Sequence, residues 1–206
     1  MTWVPGEPGI AAADAFLAAA RYAALDGPEL TAAQLHLLRG AALSEAARFD
    51  VAVPIESAIA SFTAAFPAGQ CATRTDPAAK GTELSCSVEV DHPVFAEVRF
   101  AWPSAPKARV RSVTLTRQRR PDAEGRAPPD PTGCLTAALG SGEKEVVDFA
   151  SGRAVHSWRL GKGGDRAVLD GDTFTLAARA GADPAKPADF TAEHAKILGS
   201  LASCSP

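Results

Sequence analysis

Two histidines and four cysteines carry most of the chemistry this chain has to offer. His92 follows Asp91, and an acidic neighbour is what a histidine base needs when a distant hydroxyl or water is to be activated. Pro93 comes next, so the plainer expectation is a solvated histidine in a turn between strands. His156 and Trp158 are two residues apart, which puts both on one face of a strand. They either line a pocket together or stand on the solvent side of a sheet. A hydrolase assembled from scattered residues around His92 or His156 is therefore the alternative to weigh. His36 and His194 fall in helical stretches and read as semi-exposed.

Local motifs do not strengthen that alternative. G-x-S-x-G, S-x-x-K with its supporting elements and H-E-x-x-H are missing from the sequence. "GSGEK" and "GKGGD" lack the spacing of a phosphate-cradling loop and read as turns. "LDGDT" lacks the third acidic position and the distal glutamate of a calcium loop. The expectation is a non-enzymatic protein with no cofactor and no metal.

The cysteines are Cys71, Cys86, Cys134 and Cys204. Their spacings are long and unequal. A structural zinc site favours close C-x2-4-C pairs, and a redox site needs C-x-x-C. Widely separated cysteines in even number fit two disulfides, and four cysteines allow three pairings. The expected pairs are Cys71–Cys86, tying the end of a helix to the strand after "DPAAKG", and Cys134–Cys204, pinning a C-terminal helix. The competing reading is four buried free thiols in a cytoplasmic protein. Disulfides imply a periplasmic or secreted location, with an export signal removed from the mature chain. No stretch approaches the length of a transmembrane helix, and "MTWVPGEPG" lacks the pattern of a signal peptide. An envelope lipoprotein whose anchor precedes residue 1 is a variant of the same reading.

Periodicity places the elements. Residues 1–9 read as a flexible lead and 10–50 as a helical hairpin, its first arm alanine-rich and its second starting after Thr31. Residues 51–206 read as an α+β domain. Ile55, Ile59, Phe62 and Phe66 mark the buried face of a third helix. "ELSCSVEVD", "VFAEVRFAW" and "ARVRSVTLTR" alternate as strands of an antiparallel meander. A Pro- and charge-rich linker follows, then "CLTAALG" as a short helix ended by Gly140. Strands at "AVHSWRL", "RAVLD" and "TFTLAAR" come next, with Asp170–Gly171 as a hairpin turn. The final helix buries Phe190, Ile197, Leu198 and Leu201, with Asp189 as its cap. Helix followed by three strands thus occurs twice, at 54–117 and 132–179, which suggests internal duplication.

A formal net charge of −3 is too mild to imply a nucleic-acid partner. Locally the balance differs. Lys107, Arg109, Arg111, Arg117, Arg119, Arg120 and Arg126 stand against Asp122 and Glu124. Phe100 and Trp102 lie just upstream. Together with Trp158, these residues (Phe100, Trp102, Arg109, Arg111, Arg117) form the expected partner-binding surface, a basic and partly aromatic strand edge suited to a protein or polyanionic envelope partner. The plainer reading is a solvated strand face with charges that guard a sheet edge.

"SAIASFTAAFPAGQC", the Cys71/Cys86 bracket, "AEVRFAW" and "ARVRSVTLTR" resemble the tandem α+β architecture of secreted beta-lactamase-inhibitor proteins and the related outer-membrane assembly lipoproteins. The likeness covers residues 54–179. The second unit departs from it in having one cysteine, and the N-terminal hairpin is extra. The resemblance implies a binding or scaffolding role for the sheet face and transfers no functional residue.

Overall fold

The computed structural model describes residues 31–76, 81–119, 121, 125–148 and 153–204. It is a mixed α+β fold with a nine-stranded sheet. Helix α1 (Ala32–Arg39) leads to a two-residue strand β1 (Ala41–Ala42) and a single turn α2 (Leu43–Ala46). Helix α3 (Ile55–Ala65) precedes four strands: β2 (Gln70–Asp76), β3 (Gly81–Asp91), β4 (Phe95–Pro103) and β5 (Ser112–Arg117). The order then repeats. Helix α4 (Pro131–Leu139) precedes β6 (Glu143–Asp148), β7 (Arg153–Leu160), β8 (Asp165–Asp170) and β9 (Thr173–Ala177), and α5 (Phe190–Ala202) closes the chain. The meanders join through their last strands, antiparallel β5 and β9, with Thr114 opposite Thr175.

The N-terminal hairpin is not what forms in the described region. Its first arm (10–25) lies outside the described residues. The second arm breaks at Gly40, whose φ is +78°. A Cβ there would sit 2.8 Å from the Glu89 carbonyl oxygen. The chain leaves the helix so that β1 can pair in parallel with Val90 and Asp91 on the outer edge of β3. A helix continued through this point would lose that pairing.

Each half also holds one strand more than the alternation suggested. β2 is rich in threonine and β6 reads "EKEVVD". Both are outermost strands, where polar and charged residues are tolerated and protect against edge pairing, so their apolar alternation is faint. Cys71 is registered directly opposite Cys86. The cysteines form Cys71–Cys86 and Cys134–Cys204. Two disulfides fit a periplasmic or secreted protein. No helix of the described residues is long and apolar enough to cross a membrane.

One core runs the length of the sheet. Cys86, Val88, Val98, Phe100, Trp102, Val113, Leu115, Phe174, Leu176 and Trp158 all point to the helix side. Phe49 sits at the centre of an aromatic group, with ring centroids 4.8 Å from Phe100 and 5.7 Å from Phe62. Helix α3 buries Ala58 and Phe62, while Ile59 is 54% exposed. Ile55, Phe62 and Phe66 pack in the core as expected, and Ala58 takes the place expected of Ile59. Helix α5 buries Phe190, Ile197, Leu198 and Leu201. Asp189 stands at its N-cap position but makes no side-chain cap hydrogen bond. Its carboxylate instead accepts the Gly163 N–H of the β7–β8 turn.

Two buried histidines lock α5. His92 Nε2–H donates to the Leu201 carbonyl at 3.1 Å, and its Nδ1 accepts from Val94 N–H at 3.1 Å and Phe95 N–H at 3.3 Å. His194, 2% exposed, donates from Nε2 to the Ala46 carbonyl at 3.1 Å. His92 is thus buried where a solvated turn residue was expected, and His194 where a semi-exposed one was. Burial pushes both imidazoles below the ordinary histidine pKa. The unfolded chain therefore takes up protons first as pH falls below about 6.5, and stability is lost from there down to the lower folded values. The melting temperature should fall between pH 7.5 and 5, and the His92→Gln/His194→Gln double variant should show a flatter profile. Removing the Cys134–Cys204 bond by Cys204→Ser should cost about 4 kcal/mol in chemical denaturation.

Candidate functional site

Strand alternation decides what each face of the sheet presents. Helices α3, α4 and α5 bury their apolar residues in the core on one side. The other side carries the odd set of β3 and the residues registered against it. One row crosses eight strands: Gln70, Ser87, Arg99, Thr114, Thr175, Val168, Ser157 and Glu143. Every member is half-buried or exposed. Thr114 and Thr175 touch across the seam through their hydroxyls at 3.4 Å. Helix α1 borders this face only at the β3 edge. There Leu37, Gly40, Gln70, Ser87, Glu89 and Glu97 line a cavity of about 250 Å³.

Charges on the open face are balanced. Arg99 pairs with Glu97 at 2.7 Å, and Arg153 with Asp170 at 2.6 Å. Arg74, Arg159 and Arg166 are offset by Glu83, Glu89 and Glu143 on the same side of the strands. Such a surface is hydroxyl-rich and near neutral, and gives little long-range pull on a polyanion.

The expected partner-binding residues separate into three groups. Phe100 and Trp102 are 0% exposed and Trp158 is 6% exposed. They point to the helix side and cannot meet a partner; the apolar half of the strand alternation is the core. Trp102 donates from Nε1 to the Val53 carbonyl and Trp158 to the Gly140 carbonyl, both at 2.9 Å.

Arg109 and Arg117 face inward to backbone carbonyls. Arg109 donates to Ala52 O at 2.6 Å and Ala185 O at 3.3 Å. Arg117 donates to Pro128 O at 3.0 Å. Arg119 pairs with Asp172 at 2.9 Å, and Arg120 lies outside the described residues. The basic stretch is thus a set of clasps for loops, not a continuous cationic edge. Loop carbonyls near the ends of a sheet need donors, and arginine supplies several on one side chain.

Arg111 differs. It lines a second cavity, of about 590 Å³, where β3, β4, β5 and β9 end together. Its Nη2 is buried without a hydrogen-bond partner among the described residues.

The catalytic candidates are also resolved in space. His92 has both ring nitrogens engaged by backbone groups, so neither is free to move a proton. His156 stacks beside Trp158, with centroids 6.3 Å apart, on the helix side of β7. Asp130, which caps α4 by accepting from Thr132 N–H at 2.8 Å, feels the charge of His156 and Arg117 nearby. That backbone hydrogen bond is the main reason its carboxyl titrates below the usual range. Among the described residues no group of histidine, cysteine and carboxylate side chains is arranged to hold a metal.

Arg109→Ala should lower stability by about 1–3 kcal/mol through two stranded carbonyls. Arg119→Ala, an exposed pair, should lower it by less than about 1 kcal/mol. Urea titration of both variants checks the contrast. Comparison of the chain with protein-family models, with curated proteins and with solved structures finds no match.

Proposed function

We propose that this protein is a non-catalytic binding or scaffolding module of the cell envelope, working in the periplasm or outside the cell, that engages a protein partner through the open face of its sheet. The observation carrying this reading is the one-sided placement of the helices. Among the described residues, α3, α4 and α5 lie on one side of a nine-stranded sheet, and the other side presents a hydroxyl-rich row from Gln70 to Glu143. Antiparallel sheets tolerate such a face in water, so the bare side costs little stability and is free to serve recognition. Its mixture of Ser, Thr, Val and paired charges has the polarity of an ordinary protein interface. The balanced charge favours a protein over a polyanion. The two disulfides support an oxidising compartment. An anchored lipoprotein form is the same proposal with a tether before residue 1.

Photocrosslinking tests it. A photoreactive residue placed at Thr175, on the open face, should give a discrete protein adduct in envelope fractions. The same residue at Glu193, on the exposed side of α5, should not. The Thr114→Arg/Thr175→Arg variant should lose the partner by about tenfold or more while its melting temperature changes by no more than a few degrees. Adducts from Glu193 alone, or salt-sensitive retention on a polyanion matrix without any protein adduct, would overturn the reading.

A further inference from the structure

The two histidines that hold α5 can do so in one protonation state only. His92 sits in the β3–β4 turn and is 8% exposed. Its Nδ1 is the acceptor for two backbone N–H groups of that turn, those of Val94 and Phe95. Its Nε2–H donates to the Leu201 carbonyl in the last turn of α5. That carbonyl also accepts from Cys204 N–H at 3.1 Å. A lone pair on Nδ1 is therefore part of the geometry, because a proton there would face two donors. His194 repeats the arrangement nearer the start of the helix. Its Nε2–H reaches the Ala46 carbonyl of α2, and its Nδ1 is buried with no hydrogen-bond partner among the described residues. A proton on that nitrogen would have no acceptor.

The surroundings do little to steady a charge on either ring. Desolvation is the largest influence on both. Asp91, exposed on β3, favours charge on His92 but is outweighed. On β5, Arg117 is registered opposite Phe95 and is engaged by the Pro128 carbonyl and Asp172. On α5, Glu193 and Lys196 are exposed. On α2, Glu45 accepts from Ala42 N–H and Arg48 is exposed. Against the desolvation of His194 stands its hydrogen bond to Ala46. The other attachments of α5 do not titrate. They are the Cys134–Cys204 bond to α4 and the burial of Phe190, Ile197, Leu198 and Leu201. The seam of the sheet pairs Val113, Thr114 and Leu115 with Leu176, Thr175 and Phe174, and it too is indifferent to acid.

We propose that α5 is an acid-released element: below about pH 6, protonated His92 and His194 give up their backbone partners, the helix parts from the β3–β4 turn and from α2, and the Cys134–Cys204 disulfide keeps it tethered while the sheet stays paired. What the release uncovers is apolar. Phe95, Phe100 and Leu201 are at most 1% exposed in the closed form. The open form thus displays a hydrophobic surface that the neutral form hides. This device lies on the helix side of the sheet and does not depend on the docking face.

The test is amide hydrogen exchange of the oxidised protein by NMR, corrected for intrinsic exchange, between pH 7.5 and 5. The ring ¹⁵N shifts of His92 and His194 are followed in the same samples. At every pH the amides of Leu198 and Leu201 should exchange at least about tenfold faster than those of Val113, Leu115 and Leu176, which open only with the whole fold. Acidification to pH 5 should lower the protection of α5 by up to about 30-fold for each histidine that must be neutral in the closed form. The rings should pass from the Nε2–H tautomer to the imidazolium over the same interval. His92→Gln/His194→Gln should leave α5 less protected at pH 7.5 and independent of pH to within about threefold. The wild-type measurements decide the matter even where the variant folds poorly. One shared protection for helix and sheet, α5 protection unaffected by acid, or rings that stay neutral while α5 opens would each overturn the proposal, as would an undiminished acid response in the folded double variant.

Discussion

The antiparallel pairing of β5 with β9 is the contact on which the rest of the molecule depends. Five residue pairs join the two meanders there. On the helix side Val113 and Leu115 meet Leu176 and Phe174, all essentially buried. On the other side Thr114 meets Thr175. Without this seam each meander would present an unpaired edge and half of a core. With it, the sheet has one apolar face long enough to be covered by α3 from the first half and α4 from the second. The polar face is then continuous by necessity, because alternation cannot hide both sides at once. The candidate docking face and the cavity ending in Arg111 both follow from the same five pairs.

The C-terminal helix completes the core, and its attachments are of unusually mixed kinds. A disulfide holds its end to α4. Two neutral histidines hold it to the β3–β4 turn and to α2. His194 also packs its ring edge-on to Phe100. These polar contacts are made inside the core, where an unpaired group is expensive and a paired one is directional. They set the position of the helix along the sheet more sharply than Ile197 or Leu201 can by burial alone.

Much of the architecture is legible in the sequence from period alone. The core strands β3, β4, β5, β8 and β9, the helices α3 and α5, and the turn at Asp170–Gly171 all carry clear alternation or helical spacing. The edge strands β2 and β6 do not, because an edge selects for polarity and charge. The break at Gly40 is invisible locally, since a helical apolar pattern continues past it; the close approach of Glu89, distant in sequence, is what forbids a side chain there. The site was less legible still. Phe100 and Trp102 read as aromatic neighbours of a basic patch, yet alternation with Ala101 and Arg99 already divides that strand into two faces. Which face is dry depends on where the helices pack. The basic residues looked alike in a row, but Arg109 and Arg117 find carbonyls and Arg111 does not.

By itself, the sequence determined composition-level and local properties: an α+β chain, mild net charge, helices and strands of recognisable period, and cysteines too widely spaced for a zinc cluster. These depend on neighbours a few residues away, which the sequence displays directly. Tertiary structure alone decided among the three cysteine pairings, buried His92 and His194, turned the aromatic residues inward and placed Arg111 in the lining of a cavity. Each of those outcomes joins groups far apart in the chain, and the free energy that selects them, desolvation and hydrogen-bond satisfaction, exists only once the sheet has closed on its helices.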